Sequence, residues 1–493
     1  MVCLVNVIPD QYPFIEVSEK RDSISLKKTY FSGLVKDDYG FSKLNFFFRK
    51  LDADGKPDMS EPGKILPIQI SKNLNQEPFF LYWDLESQNL KPGDQIEYYF
   101  EVFDNDGVAG PKATRSQKQF LKIPGLDDLA KLNQKNAEET KKDLEESLKK
   151  SKEIQKELDA LNKLLMDKKE ISWYEKKKMQ DLIEKQKELQ KKVEEIKKEN
   201  ELHNKQQSEF QQPNESILEK QKELEKLFQS MMNEELKKKF EELQKLLDKL
   251  DKNELQKQLD QMKLDNKDLE KEMDRALEMF KQLQVDQKLE NNIKKLEELS
   301  KKQEDLSKES ENKNANKEEL EKKQEELNKE FQEFRKDMDE LHKMNQELER
   351  PKNLEDTDKQ EEEIQQDQKN SSNQLNQGNS KGASKSQKKA GQQMKQLASQ
   401  LAGMQSGIEM EQQEEDMNNL RQILTNLIQL SFDQEALMKK FAKVKSSDPA
   451  YVKNVQEQKK LKDDAKIIED SLLALSKRVF QLQTTVNKEI SAI

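Results

Sequence analysis

The sequence is poor in the residues that punctuate loops and build reactive sites. It has 13 glycines and 12 prolines in 493 residues, so most of the chain is not loop-rich. Cys3 is the only cysteine, which excludes an internal disulfide and a cysteine-based metal centre. The two histidines, His203 and His342, lie far apart, which leaves little for histidine-dependent catalysis or metal binding. We therefore expect no enzyme activity, no catalytic residues, no cofactor and no cysteine or histidine metal site.

Long apolar runs are also lacking. No stretch approaches the roughly 18 consecutive apolar residues that a membrane-spanning helix needs. The N-terminal segment "MVCLVNVIP" is apolar but has neither a basic region nor a small-residue cleavage site, so it is a poor signal peptide. The sequence as written therefore predicts neither a signal nor a transmembrane segment.

Charge is abundant and mixed in sign. The 88 basic and 98 acidic residues are interleaved and give a net charge of −10, so no basic stripe is available for a nucleic-acid backbone. Charged residues make up 38% and hydrophobic residues 32%, against roughly 25% and 45–50% in typical soluble domains. Such a composition is typical of long solvated helices or of disordered chain, and leucine periodicity must decide between them.

Residues 1–125 contain the aromatic, strand-like part of the chain. About seven short β-rich runs, such as "KLNFFFRKL" and "QIEYYFEVF", are separated by Asp-, Pro- and Gly-bearing turns. This pattern predicts an antiparallel β-sandwich, and "LKPGDQIEYYFEVFDNDGVAG" resembles the end of an immunoglobulin-like or fibronectin-III-like domain. In the last long run, "QIEYYFEVF", alternate residues form two faces, and one of them carries Glu101. Because a lone carboxylate is costly to bury, the other face should point inward. That prediction concerns Tyr98, Phe100 and Val102, packed against Leu44, Phe46, Phe48 and Trp83.

Residues 126–212 change to a helical period. Ile154, Leu158, Leu161 and Leu165 are spaced four, three and four, which predicts one face of a coiled coil. Ser172 followed by Glu175 matches a capping box. We therefore predict an antiparallel coiled-coil hairpin that bends at residues 168–172 and projects as a stalk.

The remaining chain is divided by composition. Residues 213–350 are predicted as further charged helices or coiled coil. Apolar residues nearly vanish over residues 351–390, which we interpret as a disordered linker. Residues 391–493 are apolar again and predict a compact, truncated helical module, in which Asp448 and Pro449 begin a helix. The predicted fold class is α+β, predominantly α.

Two aspartate clusters are candidates for calcium. Asp52 and Asp54, and likewise Asp104 and Asp106, place carboxylates two residues apart before a glycine, as calcium loops do. Neither cluster completes the twelve-residue EF-hand pattern, and Asp-Gly is also a common hairpin signal. Turn chemistry is therefore the default interpretation. No phosphate-binding G-x-x-x-x-G-K-[ST] motif occurs, and "GNSKGASKS" lacks a preceding strand.

Several blocks together resemble one protein family. They are "NVIPDQYPFIEV", "YFSGLVKDDYGFSKLNFFFRK", "KPGDQIEYYFEVFDNDGVAGPKATRSQ" and the distal "LTNLIQLSFDQEALM". The chain is similar to very large, uncharacterised, membrane-anchored proteins of Bacteroidota, some of which carry a loose ATPase label. Family members typically have transmembrane helices ahead of the β-domain. The resemblance thus implies an internal fragment of a cell-envelope protein, and it supplies no catalytic residues.

These observations favour a non-enzymatic structural or interaction protein, an extended scaffold or spacer of the bacterial envelope. One alternative is the non-catalytic part of a membrane-bound enzyme or transport-associated ATPase. Another is a calcium-dependent adhesion module. The expected partners are other proteins or further copies of the chain, bound through helical faces. No nucleic acid or small-molecule substrate is expected, and the resemblance implies membrane association through upstream segments only.

Overall fold

The chain has the predicted α+β fold, in which helices dominate. The computed structural model describes residues 10–22, 25, 27–51, 55–57, 62–71, 74–88, 90, 93–107, 110–166, 172–210, 213–231, 238, 242, 244, 252–312, 315–482 and 486. The chain divides into two compact units. The first comprises residues 1–139 and 198–213, and the second comprises residues 140–197 and 214–493.

The first unit contains two antiparallel sheets. Its strands are β1 (Phe14–Arg21), β2 (Lys28–Lys36), β3 (Phe41–Leu51), β4 (Lys64–Ile68), β5 (Gln76–Asp84), β6 (Gln95–Asp104), β7 (Ala113–Arg115) and β8 (Gln119–Lys122). One sheet has the order β1-β2-β5, and the other has the order β4-β3-β6-β7 with β8 also paired to β6. The two sheets thus separate β1, β2 and β5 from β3, β4, β6, β7 and β8.

Aromatic side chains from both sheets fill the space between them. The Phe46 and Phe100 rings lie 4.8 Å apart, and the rings of Trp83 and Tyr98 lie 5.3 Å apart. Val102 is also buried in this core. The predicted inward face of β6 is therefore confirmed. On its outer face Glu101 is paired with Arg115 at 2.7 Å.

Eight helices are described. They are α1 (Leu126–Met166), α2 (Trp173–Phe210), α3 (Glu215–Met231), α4 (Lys252–Glu311), α5 (Lys317–Gln346), α6 (Asp358–Asn376), α7 (Ser380–Phe441) and α8 (Pro449–Ser476). Asp448 caps α8 as predicted, since its side chain accepts a hydrogen bond from the Ala450 backbone N–H at 2.8 Å. In the described part of the chain, no helix combines the length and the apolar character that crossing a membrane requires.

Helices α1 and α2 run antiparallel within the second unit. Lys192 pairs with Asp143 and Lys185 with Glu157, both at 2.7 Å. Residues 168–171 of the predicted bend lie outside the described residues, but the Ser172 backbone N–H donates to Glu175 at 2.8 Å, as in a capping box.

Helix α1 also lies along α4, which differs from the predicted free stalk. Ser151 Oγ contacts Asn266 Oδ1 at 3.4 Å, and Lys263 pairs with Asp159 at 2.5 Å. Within the second unit, therefore, α1 packs on two helices and does not project as one arm of an isolated hairpin.

A four-helix bundle forms the main core of the second unit. It combines the C-terminal half of α4, all of α5 and α6, and the N-terminal part of α7, with sequential neighbours antiparallel. Ion pairs line the edges between helices, among them Lys302–Glu330 at 2.7 Å and Lys389–Asp367 at 3.0 Å. The seam of α5 is wholly buried at Leu320, Leu327, Phe331, Phe334, Met338 and Leu341.

The interpretation of residues 351–390 as a disordered linker is wrong. These residues supply α6 and the start of α7, and four of their five apolar side chains, Ile364, Leu375, Ala383 and Ala390, are fully enclosed. Small residues let the backbones approach closely. A Cβ atom at Gly391 would lie 3.2 Å from the Ser300 carbonyl oxygen of α4. The predicted boundary at 390/391 falls inside α7, and is likewise wrong.

Candidate functional site

Of the four predicted calcium residues, the structure describes Asp104 and Asp106. Asp52 and Asp54 lie outside the described residues. Asp104 is buried, and its Oδ1 accepts the backbone N–H groups of Asp106 at 3.2 Å and Lys112 at 2.9 Å. Asp104 therefore closes a loop. Across the part of the chain that the structure describes, no group of three or more His, Cys, Asp or Glu side chains is arranged for a metal ion.

The two histidines lie in different units, His203 on α2 and His342 on α5. Burial lowers the pKa of His203, and Glu199 and Glu139 partly offset that effect. The imidazole of His203 is thus partly buried on a charged helix.

A layer of glutamines crosses the four-helix bundle, one from each helix. Gln303 (α4), Gln324 (α5), Gln368 (α6) and Gln387 (α7) are each at most 2% exposed. We call these four residues the glutamine layer. Gln324 Oε1 accepts hydrogen bonds from Gln303 at 2.9 Å and from Gln387 at 3.0 Å, while Gln368 donates to Gln303 at 3.1 Å. The layer thus joins all four helices through direct side-chain contacts.

Serine hydroxyls extend this polar network along the bundle. Ser371 of α6 donates to Gln324 Oε1 at 2.9 Å. One turn beyond Gln303, Ser307 Oγ donates to the Ser384 carbonyl oxygen at 2.9 Å, and on the other side Ser300 Oγ donates to the Gly391 carbonyl oxygen at 2.8 Å. Because buried polar groups are costly unless they are paired, these contacts hold α4 and α7 at one relative position.

The spacing of the four glutamines from apolar residues indicates that they are buried, although the polar composition of their segments does not. Gln324 sits between Leu320 and Leu327 in a seam with alternating four- and three-residue spacing. Each of the other three glutamines follows a buried apolar residue of its helix by four residues: Leu299, Ile364 and Ala383. Polar residues at seam positions can fix helix register at some cost in stability. Sequence reasoning missed the layer because it counted these residues as solvated.

A buried charge junction lies at one end of the bundle. Asp286 of α4 contacts the ammonium groups of Lys352 and of Lys220, the latter at 2.7 Å. Lys220 belongs to α3 and lies 3.9 Å from Glu409 of α7. Burial raises the pKa of Asp286, but the two lysines lower it by more, so its net shift is downward. Asp286 thus stays ionised and ties α3 and the segment after α5 to α4.

A groove of about 380 Å³ lies between α7, α8 and the turn after α5. Two ion pairs cross it: Arg350 pairs with Glu415 at 2.6 Å, and Lys477 pairs with Glu349 at 2.5 Å. These pairs fasten α7 and α8 to that turn.

One face of α7 is apolar and exposed. It carries Met410, Met417, Leu424, Ile428 and Phe432, which are between 51% and 71% exposed. We call these five residues the α7 face. A different side of α7 packs on α8, where Ile423 and Leu472 are buried. The α7 face therefore has no cover among the described residues.

Comparisons with protein-family models, with curated proteins and with solved structures gave no match to this chain.

Proposed function

We propose that this chain is a non-enzymatic structural or interaction protein, whose helical unit serves as a scaffold of fixed register. The glutamine layer is the observation that carries the proposal. Four buried side-chain amides, one per helix, hydrogen-bond chiefly to each other. They therefore favour the relative helix positions in which these bonds form. The resemblance to envelope proteins of Bacteroidota is the only support for a place in a bacterial envelope.

The layer favours one alignment of the four helices over its alternatives. Sliding one helix by a heptad, about 10.5 Å, would put a glutamine opposite the leucines of its neighbours. Buried amides without partners cost roughly 1–3 kcal/mol each. An apolar seam has no such penalty, since one leucine fits opposite another in either alignment. The layer therefore supplies specificity, and the leucine and phenylalanine seams supply most of the stability.

Replacing all four glutamines by leucine tests this role. Apolar replacement of a complete buried polar group is often neutral or stabilising, so circular dichroism should show a helical variant with an equal or higher melting temperature. Its register is measured by a disulfide between Asn328→Cys and Ser372→Cys, in a Cys3→Ser background. These two side chains touch at 2.9 Å across α5 and α6.

If the layer fixes the register, the cross-linking yield should be nearly complete with the glutamines present and lower with the four leucines. The matched control replaces the exposed Gln332 by leucine and should cross-link fully. Undiminished cross-linking in the four-leucine variant would contradict the proposed role of the layer.

A further inference from the structure

We propose that the α7 face binds a second copy of this chain through residues 424–432, which pair with the same residues of that copy, with the two helices antiparallel and a two-fold axis at Ile428. The inference rests on the proposed structural role, because it names the partner of an interaction surface on that scaffold. Single exposed apolar residues are common on protein surfaces, but contiguous exposed patches mark binding sites. From Met410 to Phe432 the face extends about 33 Å along the helix.

The spacing of the face is that of a coiled-coil seam. Met410, Met417 and Leu424 follow one another at seven residues, and Ile428 and Phe432 continue the stripe at four-residue steps. A helix is the partner that fits such a stripe, because its side chains insert between residues one turn apart. A flat surface or an extended strand has no matching period.

Charge identifies that helix as α7 itself. Arg421 and Glu435 are exposed and lie seven residues on either side of Ile428. An antiparallel pair with its axis at Ile428 places Arg421 of one copy opposite Glu435 of the other, and symmetry forms this pair twice. The same alignment places Leu424 opposite Phe432 and Ile428 opposite itself. Between positions 421 and 435, apolar residues thus meet apolar residues and each charge meets its opposite, while Met417 lies opposite the aliphatic stem of Lys439.

The charges also select against the alternative orientation. A parallel pair would place Arg421 opposite Arg421 and Glu435 opposite Glu435, and such like-charge contacts are unfavourable. Among the described residues of the single chain, Glu435 pairs with Lys439 at 2.6 Å, and both side chains are more than half exposed. Such a surface pair is worth little, so exchanging it for Arg421 of a second copy costs little.

Sedimentation equilibrium of the full chain tests the association. We expect a reversible monomer–dimer equilibrium, since one pair of helical faces makes an interface at the small end of the usual range. Ile428→Glu should weaken it at least about tenfold, because two carboxylates would face each other at the axis. The matched control is Leu264→Glu on α4, which removes an apolar residue of the same 58% exposure and should leave the equilibrium unchanged.

A charge exchange tests the orientation. Arg421→Glu and Glu435→Arg should each weaken the dimer, because each variant creates two like-charge contacts. The double variant should recover most of the lost affinity, since it restores both pairs with their signs reversed. If the double variant dimerises no more tightly than the single variants, the antiparallel alignment is overturned.

Disulfide formation locates the axis. In a Cys3→Ser background, Ile428→Cys should cross-link two copies readily, while Leu424→Cys should not. The two Leu424 positions would be about 12 Å apart along the axis, beyond the roughly 4.4–6.8 Å Cα separation of a disulfide. Equal cross-linking at both positions would indicate a parallel pair. A chain that stays monomeric at all concentrations would overturn this inference alone, because the register test of the glutamine layer is made within one chain.

Discussion

Gln303 of α4 and Gln324 of α5 hydrogen-bond each other in both directions. The Gln303 amide nitrogen donates to Gln324 Oε1 at 2.9 Å, and the Gln324 amide nitrogen donates to Gln303 Oε1 at 3.2 Å. Gln324 also donates to Asn328 of its own helix at 2.9 Å. With the bonds it accepts from α6 and α7, Gln324 is the central member of the layer.

Truncating this central residue should destabilise the bundle. Gln324→Ala strands the buried amide groups of Gln303 and Gln387, and leaving even one such group without a partner costs about 1–3 kcal/mol. Urea denaturation followed by circular dichroism measures the change. The exposed Gln332→Ala on the same helix is the control and should stay within about 0.5 kcal/mol of the parent chain. Equal effects of the two substitutions would contradict the role given to Gln324.

Breaking the charge junction should also be costly. Asp286→Asn leaves Lys352 buried without its counter-charge, and removing one partner of a buried ion pair typically costs about 3–5 kcal/mol. Adding Lys352→Met to that variant should recover part of the loss, because the second buried charge is then gone. A double variant less stable than Asp286→Asn in the same urea titration would argue against the pairing.

The same residue predicts a pH dependence. Burial opposes the charge of Asp286, but Lys352 and Lys220 hold its pKa below the ordinary value. The folded chain then binds this proton more weakly than the unfolded chain does. The stabilisation is complete above the unfolded pKa of about 3.9 and is lost as the pH falls through the folded pKa. The stability difference between the parent chain and Asp286→Asn should be constant near neutral pH and shrink below about pH 4. A difference that is unchanged there would contradict the depressed pKa.

The β-sandwich offers a matched pair of phenylalanines. Phe100 is 1% exposed and its ring lies between 4.8 and 5.4 Å from those of Phe31, Phe46 and Phe79, whereas Phe80 is 76% exposed. Phe100→Ala should cost roughly 3–5 kcal/mol, and Phe80→Ala should cost little. Near-ultraviolet circular dichroism during thermal unfolding follows this aromatic core. An unchanged melting temperature in Phe100→Ala would show that the core is assigned wrongly.

Alternation and capping made part of the fold readable from sequence. The inward face of β6 follows from the position of Glu101, and the start of α2 follows from Ser172 and Glu175, because both signals are local. The fold class followed from the change between the two-residue period of strands and the longer period of helices. None of these inferences required knowledge of which distant segments meet.

The glutamine layer and the charge junction could not be predicted in the same way. Gln368 and Gln387 belong to a stretch whose composition is typical of disorder, and only partners supplied by α4 and α5 make their burial favourable. Likewise, Asp286 and Lys352 are 66 residues apart, and nothing local indicates that they pair. The α7 face was hidden for a related reason, since apolar residues also line the side of α7 that packs on α8, and only that packing shows which side remains exposed.

Hydrogen exchange at α6 tests the central claim most directly, namely that a polar stretch closes the four-helix bundle. If α6 is packed as described, the backbone amides of residues 358–376 should exchange slowly in the native chain, with protection comparable to that of residues 283–311 of α4, since one cooperative unit opens as a whole. Exchange of residues 358–376 at the rate of an unstructured peptide, with α4 still protected, would contradict the account.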